Sequence, residues 1–334
     1  MSPEPSMTHD RPLLLALRAL KLGDLLVAVP ALKGLARTFG DHELLLAAPA
    51  WLDPIARLVP GLGGLLPTSG LDEPLSIDAG VVDIAANLHG NGPESRARIS
   101  ALDARLVIQH AAEHRSDPRE PCWLDGIQER RRWVRLVNAF GADARENDVA
   151  ILTPRTSPPL AGAVVVHVGA FYGSRQWPVE RFAEVAATLA GEGERVVVTG
   201  SEADRGRAMG VVEQAGLPSS ALYAGALGLD ELAALVSAAR LVISADTGVA
   251  HLASAYRRPS VIVFGPAPVE EWGPPPGPHI ALTDAALRHG DAFADAPDPA
   301  LLAVTAHDVL DASRGLLAAS ESIAMSVPSR SATR

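Results

Sequence analysis

An acid, a hydroxyl, a glycine and a histidine stand in close order in "LVISADTGVAHLASA" (241–255). Apolar residues run into Asp246-Thr247-Gly248. His251 follows one helical turn later, with apolar residues at helical spacing beyond it. A strand ending and a helix starting there would turn the N–H groups of Thr247, Gly248 and Val249 outward without helical partners. Those donors, at the positive end of the helix dipole, suit a phosphate. Gly248 lets an anion approach the backbone closely. Asp246 reads equally as a helix cap, and His251 equally as a core histidine.

Two further stretches share this grammar. "RALKLGDLLVAVPAL" (18–32) runs from a strand through Lys21-Leu22-Gly23 into a helix, with Asp24 placed either to face a ligand or to cap. "VGAFYGSRQWPVERF" (168–182) follows another strand. Its Gly169, Gly173 and Ser174 make a flexible loop, and Pro178 starts a helix. Arg175 offers a forked donor to a phosphate, or is a surface arginine. Other chemistries lack their marks. No G-x-G-x-x-G follows the first strand, no Walker lysine motif occurs, and no His/Asp/Glu ligand set is clustered.

The elements that would position these residues alternate between short apolar runs and amphipathic stretches. Strands are expected at 13–19, 42–49, 81–88 and 104–110, then at 163–170, 195–200, 240–244 and 260–265. Helices are expected at 25–40, 51–61, 127–141, 180–193, 204–216, 229–239 and 307–320, and "HGNGPESR" after residue 88 reads as a polar loop. The four arginines of 127–141 read as a solvated face. The Pro/Ser/Thr-rich stretch 151–162 reads as a linker between two βαβ series. Two such series predict an α/β protein of two doubly wound parallel sheets. Ligands then bind at the carboxyl ends of strands, and the cleft between the domains is the expected active site.

Totals bound the rest. The 334 residues suffice for two domains, and 48% hydrophobic content with 4% aromatic implies cores of Ala, Leu and Val. A net charge of −10 argues against nucleic acid as a partner. Cys122 alone supports neither a disulfide framework nor a cysteine zinc site. The first ten residues lack a basic n-region, and Arg18, Lys21 and Asp24 interrupt the apolar run 13–29. A soluble, cytoplasmic protein is expected.

In order and spacing, the three stretches together resemble glycosyltransferase family 9, the ADP-heptose heptosyltransferases of lipopolysaccharide core synthesis. The strongest part is "SADTGVAHLASAYRRPSVIVFGP" (244–266), which follows D-[ST]-G-x-x-H-x-A-x(5)-P with a later F-G-P. "LGDLLVAVPAL", "NLHGNGPES", "RQWPVERF" and "TGSEAD" support it. The resemblance implies a GT-B fold of two Rossmann-like domains, with an acceptor-binding domain at 11–155 and a nucleotide-sugar-binding domain at 160–320. Residues 321–334 are left as a loose tail.

It also implies inverting, metal-independent transfer of a heptose or related sugar from an ADP-sugar to a glycan, glycolipid or small-molecule hydroxyl. Asp24 falls on the general base. Arg175, Thr247 and Gly248 fall on the diphosphate site, and Asp246 and His251 on the donor sugar. Asp204 falls on the ribose acid, with Glu202 its near competitor. His89, Gly90 and Asn91 fall on the acceptor loop. Arg96, Arg98, His110 and Arg115 lie on that side too, as ligands of an anionic group or as surface charges. No cofactor beyond the donor and no obligate protein partner is implied, and a peripheral membrane contact stays open. Two positions differ from the family pattern: Arg175 replaces the lysine of K-x-W-P, and Ala170 and Phe171 replace small hydroxyl residues. Alternatives are another GT-B enzyme using a UDP- or TDP-sugar, a nucleotide-sugar epimerase among them, and a catalytically silent nucleotide-binding module. Retention of Asp24 with Asp246, Thr247, Gly248 and His251 counts against the last.

Overall fold

The structure is a computed structural model that describes residues 11–112 and 117–326. The chain divides into two compact units, Met1–Leu152 and Thr153–Arg334. Each is built on a five-stranded, wholly parallel sheet.

In the first unit the strands are β1 (Leu13–Leu17), β2 (Glu43–Ala48), β3 (Gly64–Pro67), β4 (Val82–Asn87) and β5 (Leu106–Ile108), in the order β3-β2-β1-β4-β5. β1 is buried along its whole length, as a strand covered on both faces must be. The helix Leu22–Thr38 follows it and buries a continuous run from Leu25 to Leu32. Pro30 sits inside that helix.

In the second unit β6 (Val164–His167), β7 (Val196–Thr199), β8 (Leu241–Ala245), β9 (Ser260–Val263) and β10 (His279–Leu282) take the order β10-β9-β8-β6-β7. Val164, Val166, Val198, Leu241, Ile243, Val261 and Val263 form the sheet side of a core completed by Trp177, Phe182 and Leu189. Branched residues dominate because they pack well on a pleated, doubly covered surface.

Several elements depart from the sequence reading. β3 and β10 were not expected. "HGNGPESR" is not all loop, since a helix spans Pro93–Ser100 with Pro at its first position. In the stretch 51–61 the helix is short, a 3-10 turn at Ala50–Leu52 running into Asp53–Ala56. The last helix, Ala306–Ser326, runs past the expected end at 320, so part of the stretch read as a loose tail is helical. The arginines of 127–141 are not a solvated face, because Arg130 and Arg132 are buried on the helix Glu129–Ala139. Arg132 pairs with Glu129 at 2.7 Å and lies 4.0 Å over the Trp123 ring.

Candidate active site

In each unit the strand order reverses beside its first strand, between β1 and β4 and between β6 and β8. Such switch points leave a crevice at the carboxyl ends of the strands, because the flanking connections leave toward opposite faces.

The first crevice collects Asp24 and His89. Asp24 is the third residue of the helix Leu22–Thr38, and its Oδ2 accepts the Lys21 N–H at 3.2 Å. The capping role is therefore real. It uses one lone pair, and the side chain stays 24% exposed. Oδ1 accepts from Arg18 Nη2 at 3.3 Å. Beyond β4, the buried Asn87 accepts the His89 N–H at 3.1 Å and donates to Ser95 Oγ. The Ala19 N–H donates to His89 Nδ1 at 3.2 Å, which puts the proton of the neutral ring on Nε2. Burial lowers the His89 pKa, and the neighbouring Arg18 lowers it further against the pull of Asp24. Gly90 follows, and a Cβ built on it would meet nothing within 4 Å. Asn91 fastens the loop: it donates to the Ala111 carbonyl and accepts from Arg96, each at 3.0 Å.

The cationic residues placed on this side behave differently from surface charges. Arg96 also donates to the His110 carbonyl at 2.7 Å, and Arg98 donates to the Leu71 and Asp72 carbonyls. His110 is wholly buried, edge-on to Trp123 and Trp133. Burial, with Arg135, Arg132 and Arg96 beside it, takes its pKa down to about 3. Arg115 lies outside the described residues.

The second crevice collects Arg175, Asp246, Thr247, Gly248 and His251. The buried Asp246 directly follows β8, and Thr247 stands extended (φ −142°) just before the helix Gly248–Ala255. Asp246 is not that helix's cap. Its Oδ2 pairs with Arg175 Nη1 at 3.2 Å, its carbonyl accepts from the same nitrogen at 3.2 Å, and its Oδ1 lies 3.8 Å from His251 Nε2. Thr247 Oγ1 has no protein partner. A guanidinium, a hydroxyl and the free N–H groups of a helix's first turn thus converge, which is a donor set for a diphosphate.

Glu202 and Asp204 stand at the end of the adjacent β7. Asp204 Oδ2 accepts from Ser201 N at 2.9 Å and from Ser201 Oγ, so it serves locally as a cap. Glu202 projects over Gly225, whose φ of +73° favours glycine, and a Cβ there would lie 1.9 Å from Glu202 Oε2 and displace that carboxylate. On β6, His167 bonds Thr199 Oγ1 at 3.0 Å, and burial takes its pKa down to about 4 against Asp204.

Two features escaped the sequence. Arg18 was visible only as a charge breaking an apolar run. The other is a strap, residues 288–298, laid over the Arg175 turn. Ser174 donates to the Ala294 carbonyl through N (2.8 Å) and to the Ala292 carbonyl through Oγ (2.9 Å), and its own carbonyl accepts from Asp298 N (3.0 Å). A Cβ on Gly173 would lie 1.7 Å from the Asp295 carbonyl oxygen, so only glycine admits the strap. Trp177 locks the other side, with its buried indole donating to the Val304 carbonyl at 3.0 Å.

Among the described residues no group of three or more His, Cys, Asp or Glu could hold a metal ion. No helix among them is long and apolar enough to cross a membrane.

Two Rossmann-like units, each with a polar cluster at its switch point, define the fold class of the GT-B enzymes. The fold matches the structure of E. coli ADP-heptose lipopolysaccharide heptosyltransferase II with a TM-score of 0.73 at 20% identity, covering 92% of this chain and 99% of that one. It also matches the dodecameric iron-containing heptosyltransferase TibC in complex with ADP-D-β-D-heptose, with a TM-score of 0.61 at 17% identity, covering 93% and 77%. In sequence, residues 147–287 match the model of glycosyltransferase family 9 (heptosyltransferase). Lipopolysaccharide heptosyltransferase 2 of E. coli is 30% identical over 159 residues, 45% of each chain. The match spans about half the length of that curated relative. The family signature thus lies mainly in the second unit.

Proposed function

We propose that this protein is an inverting glycosyltransferase that moves a heptose, or a related sugar, from an ADP-sugar to a hydroxyl of a glycan, glycolipid or smaller acceptor. The observation that carries the reading is the convergence of Arg175, Thr247 and the Gly248–Ala255 helix start at one switch point. Those groups would neutralise charge on the leaving diphosphate as the bond from the sugar's anomeric carbon breaks. Asp246 would orient Arg175, and His251 with it would border the donor sugar. Glu202 suits the ribose hydroxyls better than Asp204, whose Oδ2 already serves Ser201.

In the first unit Asp24 would take the proton of the acceptor hydroxyl while that oxygen forms the new bond to the anomeric carbon. The electron pair of the broken bond leaves with ADP. His89, Gly90 and Asn91 would line the acceptor side, His89 through its Nε2–H. We further propose that Arg175 and the helix N–H groups carry the leaving-group charge without a divalent metal.

The test is a thermal-shift panel with ADP, UDP, TDP and GDP, followed by ADP-heptose. A ligand at 100 times its dissociation constant stabilises a fold by about 2.7 kcal/mol. A selective shift with ADP, larger with ADP-heptose, supports the reading. A selective shift with UDP or TDP replaces the donor and keeps the site. Release of ADP from ADP-heptose with a truncated lipopolysaccharide core as acceptor tests transfer. The same assay with a chelator and with added iron tests metal independence, and activity lost to the chelator and restored by iron overturns that part.

A further inference from the structure

Arg18 leaves β1 with a side chain 1% exposed. Burial lowers its pKa, with Asp24 and Glu129 opposing. A guanidinium taken out of water is costly unless its donors are used. Here they are used toward one end of the crevice. Nε donates to the main-chain carbonyl of Asp24, Nη2 to the Asp24 carboxylate, and Nη1 to the carbonyl of Leu88, the residue before His89. The face of the guanidinium lies 4.7 Å from the Trp133 ring centroid, which holds its plane. The Lys21 N–H takes the other Asp24 oxygen. The carboxylate is therefore gripped at both oxygens from two directions. A leucine would continue the apolar run of β1 without burying a charge, so packing does not account for arginine at this place.

We propose that Arg18 is a positioning residue for glycosyl transfer: it fixes the plane of the Asp24 carboxylate and ties it to the His89 loop, so that a free lone pair of Asp24 meets the acceptor hydroxyl. This rests on Asp24 being the base. A fixed plane matters because proton transfer needs the acceptor oxygen within hydrogen-bond reach and aligned with the base. Lysine in place of Arg18 carries the charge, but it cannot bond Leu88, the Asp24 carbonyl and the Asp24 carboxylate in one plane.

The experiment compares Arg18→Met and Arg18→Lys, each alone and combined with Asp24→Asn, in the full chain. It reads ADP release from ADP-heptose with the truncated lipopolysaccharide core, ADP affinity by calorimetry, and the melting curve. Arg18→Met is expected to lower kcat by about 10²-fold, as misplacement of a reacting group does, with ADP affinity unchanged. Arg18→Lys is expected to recover to within about tenfold of the parent. In the Asp24→Asn background Arg18→Met should cost nothing further, because residues acting as a unit are not additive. Arg18→Met within about threefold of the parent, or equally harmful with Asp24→Asn present, overturns the proposal. Should Arg18→Met fail to fold, Arg18→Lys at full parental kcat overturns it. A parent that releases no ADP, or Asp24→Asn within about tenfold of the parent, overturns the underlying reading and this inference with it. Collapse of Asp24→Asn with Arg18→Met unaffected overturns this inference alone.

Discussion

The two acids that follow the two switch-point strands face opposite fates. Asp24 sits inside its helix, reaches back to Lys21 and keeps a quarter of its side chain in solvent. Asp246 sits before its helix, is nearly sealed, and spends its carboxylate on Arg175 with His251 close by. The sequences around them look alike: an apolar strand, an acid beside a glycine, an amphipathic helix. Acid and glycine swap order, Gly23-Asp24 against Asp246-Thr247-Gly248, and that swap decides the outcome. An acid three residues into the first turn can fold back on the chain and still face outward. An acid at the strand end is carried into the sheet edge, where burial demands a cation. One acid is left accessible, and the other is made an anchor.

The largest expected effect separates these roles. Asp24→Asn should lower turnover by about 10²–10⁴-fold, the scale of a lost general base. ADP affinity should be unchanged. Steady-state kinetics with calorimetry checks this. A variant with near-parental turnover would leave Asp24 as a helix cap only.

A pH experiment sharpens the contrast between the units from the buried side. His167 of the second unit is held neutral, its pKa taken by burial from 6.5 down to about 4. The unfolded chain therefore binds a proton that the folded chain refuses as pH falls below 6.5, and stability drops through that window until about pH 4. The full effect of such a shift is about 3 kcal/mol. His167→Gln, which keeps a hydrogen-bonding partner for Thr199, should flatten the urea midpoint against pH between those limits. An unchanged profile would assign the acid sensitivity elsewhere, with His110 of the first unit the next group to replace.

Arg175→Ala should weaken ADP binding by about 1.5–3 kcal/mol, the range for charge-assisted hydrogen bonds. It should also lower the melting temperature, because Asp246 is left buried without its cation. Arg175→Lys should keep the charge and lose the fork, with affinity between the two. If calorimetry finds ADP affinity unchanged in Arg175→Ala, the Arg175–Asp246 pair is an anchor within the fold and the likeness to a diphosphate site fails.

How much of this was legible follows from how local each feature is. The Asp24 and Asp246 junctions could be read because strand, turn and helix lie within about fifteen residues and the period of apolar residues switches there. The sheet centres could be read for the same reason: β1 is an unbroken apolar run, and β6 and β8 are apolar except for His167 and Ser244. β3 and β10 could not, being four-residue strands that are only half buried and lack a period to detect. The helix Pro93–Ser100 buries only Ser95 and Ile99, so no apolar stripe announced it. Arg130 and Arg132 misled because charge usually marks solvent. Here Glu129, one turn back on the same helix, and the Trp123 ring, brought in by the fold, take up Arg132. Asp204 showed an acid at a useful spacing, and only the structure showed its Oδ2 already bonded to Ser201.

The strap over Ser174 was least legible, since its partners lie 118 residues further along the chain. It also gives the smallest test of the contrast. Asp24 is held by neighbours in sequence and by Arg18, whereas Arg175 is the next residue after one clamped by a distant segment. Ser174→Ala removes the hydroxyl bond to the Ala292 carbonyl and keeps both main-chain bonds. The expected loss of stability is about 1 kcal/mol, since the half-buried carbonyl can turn to water. Were the strap mere packing, ADP affinity would stay at the parental value while the melting temperature fell. Were it the support of the diphosphate site, affinity would fall in step with stability, because Arg175 inherits its position from Ser174. A few-fold weaker dissociation constant for ADP, measured well below the melting temperature, selects the second. The donor end of the chemistry would then depend on a long-range contact, and the base end on a short one.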